Sequence, residues 1–362
     1  MYIYIHIPFC NCICSYCDFC KMLYNKKYIN DYLDSLEKEI KSRYKGELIK
    51  SIYIGGGTPS SLSLNELERL FNIIKIFNID NDYEFTIECN VDSLSIDKIK
   101  LFSKNKVNRV SLGVQSFNRD ILKILNRYHT YEEVYEVINN LKKNNINNIN
   151  IDLIYGVTNN IDIVKQDIDY FLSLDIPHIS CYSLIIEDNT ILSINNYKNI
   201  DEDIEYEMYK YIENKLTSRG YIHYEISNYA KEGYKSTHNI NYWNNGYYYG
   251  FGLGSVSYID DYRITNTRNI NKYNKCLFIS DKEYEDINIR MSNDMILGLR
   301  KIEGISISEF YDKYKKDVRK VFNIDDLLKD NILIIDNDKM YINSKYIYLS
   351  NDILLRFLDI VN

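Results

Sequence analysis

The sequence predicts an α/β fold, a partial (β/α)6 barrel with a C-terminal helical, winged-helix-like domain. Two observations predict it. Short apolar runs at 2–7, 51–54, 84–88, 108–112, 149–154 and 179–184 alternate with amphipathic stretches of helical period. Such alternation means parallel strands joined by helical crossovers. After about residue 235 the alternation stops, and helices followed by a small hairpin take over. Six strand–helix units are fewer than the eight that close a full barrel, and functional groups in barrels of this type gather at the carboxyl ends of the strands.

The elements follow in order. Strand 2–7 opens the chain, and Ile29, Leu33, Leu36 and Ile40 then recur at helical spacing. Two later helices announce their starts with capping boxes, Ser63 with Glu66 and Thr130 with Glu133, and Val134, Ile138 and Leu141 continue the second. Residues 236–289 are rich in tyrosine, glycine and asparagine up to about 275, with no clear helical period. Residues 290–318 read as helices, 331–343 as a hairpin around Asp336-Asn337-Asp338, and 350–360 as a final helix. The expected divisions are a barrel core at 1–235, a connecting region at 236–289 and a C-terminal domain at 290–362.

A net charge of −7 and a pI near 5.4 argue against a nucleic-acid partner, which would need phosphates neutralised. The apolar run at the start is too short to span a bilayer and has no basic segment before it. Five of the eight cysteines crowd into residues 10–20, unlike the spread of a disulfide framework. The expected location is the cytoplasm.

Those cysteines carry the most chemistry. Cys10, Cys14 and Cys17 form a Cys-x3-Cys-x2-Cys loop directly after the first strand. Three thiolates in one short turn suit three corners of an iron–sulfur cube, which normally takes four cysteine ligands. The fourth iron is then open to a substrate or cofactor. The competing reading is structural zinc completed by Cys12 or Cys20, but zinc sites usually pair two separated ligand couples and no second couple is present. Cys12 and Cys20 read as bystanders. The spacing resembles the radical S-adenosylmethionine (SAM) superfamily, in which the open iron chelates SAM.

Polar residues stand at the ends of successive strands. Gly55-Gly56-Gly57-Thr58-Pro59 follows strand 51–54, and a run of three glycines lets backbone approach a ligand. Glu88 ends its strand, Gln115 follows 108–112, Asp152 lies in 149–154, and Arg127 precedes the helix capped by Thr130. Singly, each is an ordinary exposed or capping group. Together they offer carboxylates for ribose hydroxyls or an ammonium and a guanidinium for a carboxylate. That set fits a zwitterionic nucleoside such as SAM.

The segments His6-Ile-Pro-Phe-Cys10, Gly55-Gly-Gly-Thr-Pro59, Asn108-Arg-Val-Ser-Leu-Gly-Val-Gln-Ser-Phe117 and Asn150-Ile-Asp-Leu-Ile-Tyr-Gly156 resemble the oxygen-independent coproporphyrinogen III oxidase family. Tyr224-Glu-Ile-Ser-Asn-Tyr-Ala230, His238-Asn-Ile-Asn-Tyr-Trp243 and Leu297-Gly-Leu-Arg300 resemble one branch of it, the HemW heme chaperones. The resemblance implies a [4Fe-4S] cluster on Cys10, Cys14 and Cys17, with Tyr4, Gly56, Gly57, Thr58, Glu88, Gln115, Arg127 and Asp152 lining the SAM site. It implies a flavodoxin- or ferredoxin-type electron donor, heme as cargo, and a heme-acceptor protein of the membrane respiratory kind.

Two functions share this family. Its oxidases resemble one another in a fourth cysteine two residues after the third; Phe19 stands there in this chain, and Cys20 is one residue late. The oxidases also carry an extra segment before the cluster loop. Both points favour a heme chaperone without oxidase activity; the alternative is oxidative decarboxylation of coproporphyrinogen III. Histidine is a common axial ligand of heme, and His238, with Tyr242 and Trp243 beside it, is the expected ligand. His6 and His129 sit in the SAM-site motifs and read as local hydrogen-bonding groups, while His178 and His223 are weaker candidates. The chain departs from the family at Val91, Asn126, Val157-Thr158-Asn159 and Val256, none of them a cluster ligand.

Overall fold

The computed structural model describes residues 1–360; residues 361–362, the end of the expected C-terminal domain, lie outside the described residues. All six expected strands form: β1 (Tyr2–Ile7), β2 (Ile49–Gly56), β3 (Ile79–Asn90), β4 (Arg109–Gln115), β5 (Asn148–Tyr155) and β6 (His178–Ser183). They pair in parallel in that order. On β1 the pleat sends Ile3, Ile5 and Ile7 into the core beneath the helices, so Tyr2, Tyr4 and His6 take the other face, toward the barrel lumen. Helix Lys26–Arg43 covers that core with Ile29, Leu33, Leu36 and Ile40. Both capping boxes close: Ser63 and Thr130 accept from the amides of Glu66 and Glu133, whose carboxylates accept from the Ser63 and Thr130 amides at 2.7 and 2.8 Å.

The sheet runs further than the sequence pattern indicates. Past β6 it adds β7 (Ile222–Glu225) and β8 (Asn228–Ala230), both antiparallel. On the other side β9 (Tyr248–Phe251) pairs in parallel with β1, followed by antiparallel β10 (Val256–Ile259), β11 (Tyr262–Asn266) and β12 (Ile279–Tyr284). The full order is β12-β11-β10-β9-β1-β2-β3-β4-β5-β6-β8-β7. Residues 236–289, which show no period, therefore supply helix Thr237–Trp243, the short helix Ile270–Tyr273 and four strands of the same sheet. Glu39, fully buried, pins this extension to helix Lys26–Arg43. It accepts from the Gly252 amide at 2.9 Å, Asn266 at 2.6 Å and the Tyr273 hydroxyl at 2.6 Å, and pairs with Arg43. A buried carboxylate tolerates burial only with such compensation.

The C-terminal residues form helices Ile287–Gly298 and Ile307–Tyr314 and a small three-stranded sheet that includes the hairpin Leu333–Asp336 with Lys339–Ile342. The last helix is shorter than expected, Ser350–Leu354 followed by a 3-10 turn at Leu355–Phe357. Tyr348 reaches back to the barrel, donating to Glu205 at 3.2 Å, and the same carboxylate oxygen accepts from Ser183 at 2.6 Å at the end of β6. Among the described residues no helix is long and apolar enough to cross a membrane.

Candidate functional site

The carboxyl ends of the parallel strands open into a cavity of about 380 Å³. Its walls include Cys10, Cys14 and Cys17 together with Gly56, Gly57, Thr58, Glu88, Gln115, Arg127 and Asp152. Five strands, through their carboxyl-terminal halves and the loops that follow, thus deliver these expected residues to one space, as barrel geometry requires.

The carboxylates are held from below. Glu88 accepts from the Tyr53 hydroxyl at 2.8 Å and from the Gly56 amide at 3.0 Å. Burial pushes its pKa up to about 7, against those two hydrogen bonds. Asp152 accepts from Asn150 at 2.8 Å and Ser111 at 3.2 Å, and burial raises its pKa also. Arg127 donates to the Gly113 carbonyl oxygen and lies 3.6 Å from the Cys14 sulfur, a cation set beside the thiol loop. Gln115 adopts φ of 68° just after a register shift between β4 and β5. A bulge of this kind re-aims a side chain at the cost of local strain, and here it turns Gln115 into the cavity.

The glycine run has a different reason from the one expected. A Cβ on Gly55 would come within 2.7 Å of the Glu88 carboxyl, and on Gly57 within 2.7 Å of the Pro8 backbone. Gly56, at φ of 112°, has no room beside the His6 ring. The glycines are demanded by close packing inside the protein; Gly56 and Gly57 line the cavity in addition.

The thiols sit on a loop braced by backbone bonds from Met22 to Pro8 (2.7 Å) and from Tyr24 to Cys10 (2.8 Å). Thr58 donates to the Cys10 sulfur at 3.6 Å, and burial pushes the Cys10 thiol up to about 11. Among the described residues no three histidine, cysteine or acidic side chains gather around one point as a single ion requires. Cys10, Cys14 and Cys17 all line the first cavity. Cys12 also lines this cavity, and its sulfur accepts from Asn126 at 3.1 Å.

Two expected residues lie elsewhere. Tyr4 faces a second cavity, its hydroxyl 3.0 Å from His6 Nδ1, while His6 Nε2 meets the Cys20 carbonyl oxygen at 2.6 Å. His238, the expected heme ligand, lines neither cavity and is 1% exposed. Its Nδ1 meets Ser51 at 3.0 Å and its Nε2 meets the Tyr242 hydroxyl at 2.9 Å, so neither nitrogen is free for iron. Burial lowers its pKa to about 3. The helix that carries it is capped from inside the lumen: Glu84 accepts from the Thr237 and His238 amides at 2.9 and 3.0 Å and from Ser236 at 3.3 Å.

Sequence reasoning passed over Tyr53 and Asn90, both on the cavity wall. Asn90 donates to Thr58 at 3.2 Å. The signal was available for each: both stand two residues from a position already singled out, Gly55 and Glu88, and in a strand that spacing shares a face.

Comparison with known proteins follows the same lines. Residues 4–170 match the radical SAM superfamily. The chain is 39% identical to the heme chaperone HemW of Lactococcus lactis over 98% of this chain and 96% of that protein. It is 34% identical to the heme chaperone HemW of Bacillus subtilis over 98% of each. The structure of coproporphyrinogen III oxidase (HemN) from Escherichia coli, a radical SAM enzyme, matches with a TM-score of 0.86 at 20% identity, covering 98% of this chain and 89% of that one. At that identity the likeness speaks for the fold.

Proposed function

The chain belongs to the HemW heme-chaperone family of the radical SAM superfamily, and on that premise we propose that it binds heme and passes it to an acceptor protein. The observation that carries this reading is similarity to heme chaperones along nearly the whole chain, with Phe19 where the related oxidases have a cysteine. The acceptor we favour is a membrane respiratory protein met from the cytoplasmic side.

The residues around the first cavity fit a [4Fe-4S] cluster on Cys10, Cys14 and Cys17, with SAM beside it. Held by those three thiolates, the cluster would supply one-electron chemistry next to SAM, and a flavodoxin or ferredoxin is the electron donor we assign. The chain's own part is positioning. Glu88 and Asp152 keep oxygen lone pairs toward the cavity for ribose hydroxyls or an ammonium, Gln115 adds an amide, and Arg127 places a guanidinium for the SAM carboxylate. Tyr53, Asn150 and Ser111 hold the carboxylates in place.

The test is an anaerobic titration of the reconstituted protein with heme, followed by its Soret band, beside an assay for coproporphyrinogen turnover. Saturation at about one heme per chain without turnover is the expected result. Turnover of coproporphyrinogen III would instead establish the oxidase.

A further inference from the structure

Gln115 owes its place on the wall of the first cavity to a strained turn. The Ser116 amide donates to the Val114 carbonyl oxygen at 2.9 Å, closing a three-residue turn with Gln115 at its centre, where φ is 68°. A γ-turn with a positive central φ is rare, and it persists only where the surroundings hold it in place. The turn folds the Gln115 amide back over Gly113 of its own strand. A Cβ on Gly113 would meet Gln115 Nε2 at 2.9 Å, Asn90 Oδ1 at 3.1 Å and Arg127 Nη2 at 3.3 Å. All three side chains line the first cavity, so polar groups from separate parts of the chain converge over one bare glycine.

What holds the turn comes from another strand–helix unit. Asp167 lies in the middle of helix Ile161–Ser173, which follows β5. One of its carboxylate oxygens accepts from the Ser116 hydroxyl at 2.7 Å and the other from the Phe117 amide at 2.8 Å. Ser116 and Phe117 are the two residues directly after Gln115. One helical turn beyond Asp167, the Tyr170 ring packs on Phe117 at 5.4 Å, and Tyr131 closes on both rings at 5.8 and 4.7 Å. Asp167 is 6% exposed, and burial pushes its pKa up to about 6 against those two hydrogen bonds. Burying a carboxylate is unfavourable even when it is hydrogen-bonded. Placed in mid-helix, this one caps nothing of its own helix, and its bonds go to the turn.

We propose that Asp167 is a positioning residue for Gln115: by gripping Ser116 and Phe117 it fixes the turn that aims the Gln115 amide into the first cavity, and so sets the affinity for SAM without lining the site. The inference rests on reading that cavity as the SAM site, and it adds a residue that acts from behind the wall. Asp167 and Gln115 then work as one unit, and removing either should cost the same contact.

The experiment is a double-mutant cycle on SAM affinity, measured by calorimetry on the full chain with its cluster reconstituted under anaerobic conditions. Gln115→Ala should weaken SAM binding about fivefold, the worth of one hydrogen bond, and Asp167→Ala by a similar factor. The double variant should bind no more weakly than Gln115→Ala alone, because the two residues act through one contact. Asp167→Asn should recover most of the affinity, its carbonyl oxygen accepting from Phe117 and its amide donating to the Ser116 oxygen. Iron and sulfide content should match the unmodified protein throughout. If Asp167→Ala does not fold, Ser116→Ala runs the same cycle with one of the two bonds removed, a loss of about threefold that disappears in the Gln115→Ala background. Unchanged affinity in Asp167→Ala, or losses that multiply in the double variant, overturns the assignment. Unchanged affinity in Gln115→Ala overturns it too. Failure of the unmodified, reconstituted protein to bind SAM overturns the reading of the first cavity itself.

Discussion

The barrel lumen has an upper and a lower half, and both are lined with carboxylates, amides and a guanidinium. In the lower half the carboxylate and the histidines are spent on neighbours, while the buried Arg109 keeps a guanidinium Nε with no hydrogen-bond partner. Glu84 caps helix Thr237–Trp243 with three hydrogen bonds. His178 uses both nitrogens, on Asn150 at 2.6 Å and Tyr224 at 2.8 Å, and His238 uses both of its own. In the upper half Glu88 and Asp152 each take two bonds from beneath and keep lone pairs toward open space. For these carboxylates and histidines, capacity left unspent toward open space marks a binding group, and capacity used up marks a structural one. Residue type alone does not separate the two.

The harshest way to break this comparison is at the thiol loop. Cys14→Ser should lose nearly all iron and sulfide after reconstitution, while the metal-free protein unfolds in urea within about 0.5 kcal/mol of the original, as for a substitution that disturbs no core packing. Retention of a full cluster would mean that Cys12, on the same wall, supplies the third thiolate.

A matched pair of carboxylates sharpens it further. Glu84→Ala should destabilise the fold by about 3 kcal/mol, because several buried donors lose a charged acceptor at once, with SAM affinity within about twofold of the original. Glu88→Gln should do the reverse. Losing one charge-assisted contact of about 1.5–3 kcal/mol weakens SAM binding roughly tenfold or more. Stability should change by under about 1 kcal/mol, since neutralising a buried carboxylate relieves its desolvation. Calorimetric SAM titration and urea unfolding of both variants give the two axes. Equal effects of the two substitutions on either axis would erase the division between the halves.

Much of the upper half was legible in the sequence, for a physical reason. Parallel strands covered on both faces read as apolar runs, and their carboxyl ends mark where side chains converge, so Glu88, Gln115 and Asp152 stood out by position, and Arg127 by its place before a capped helix. Strands β9 to β12 lacked that signal. On β12 every residue, Ile279 to Tyr284, is exposed, so no apolar period exists to be read. Helix Thr237–Trp243 spans seven residues and buries only His238 and Asn241, too little for a helical period. The burial of His238 was hidden for a related reason. Its partner Ser51 lies on β2, remote in sequence, and a histidine in a sequence does not show whether its nitrogens are taken.

The smallest expected effect tests that burial directly. His238 has a folded-state pKa of about 3, against an unfolded value near 6.5. Between those values the unfolded chain binds a proton that the folded chain refuses, so this group makes stability rise with pH, by up to about 1.4 kcal/mol per unit, and fall on acidification below about 6.5. His6 and His129, both lowered to about 4 by burial, act in the same direction. Glu88 at about 7 and Asp167 at about 6 act in the opposite one, because a raised carboxyl pKa means the folded state holds the proton. The net slope mixes these, but the difference between the original protein and His238→Gln isolates one histidine. Urea unfolding at pH 7, 6 and 5 should show the original losing stability on acidification more steeply than the variant, whatever offset the substitution introduces. Identical slopes would mean that His238 takes up its proton in the folded state, so that a ring nitrogen is reachable and the lower half is not closed at that point.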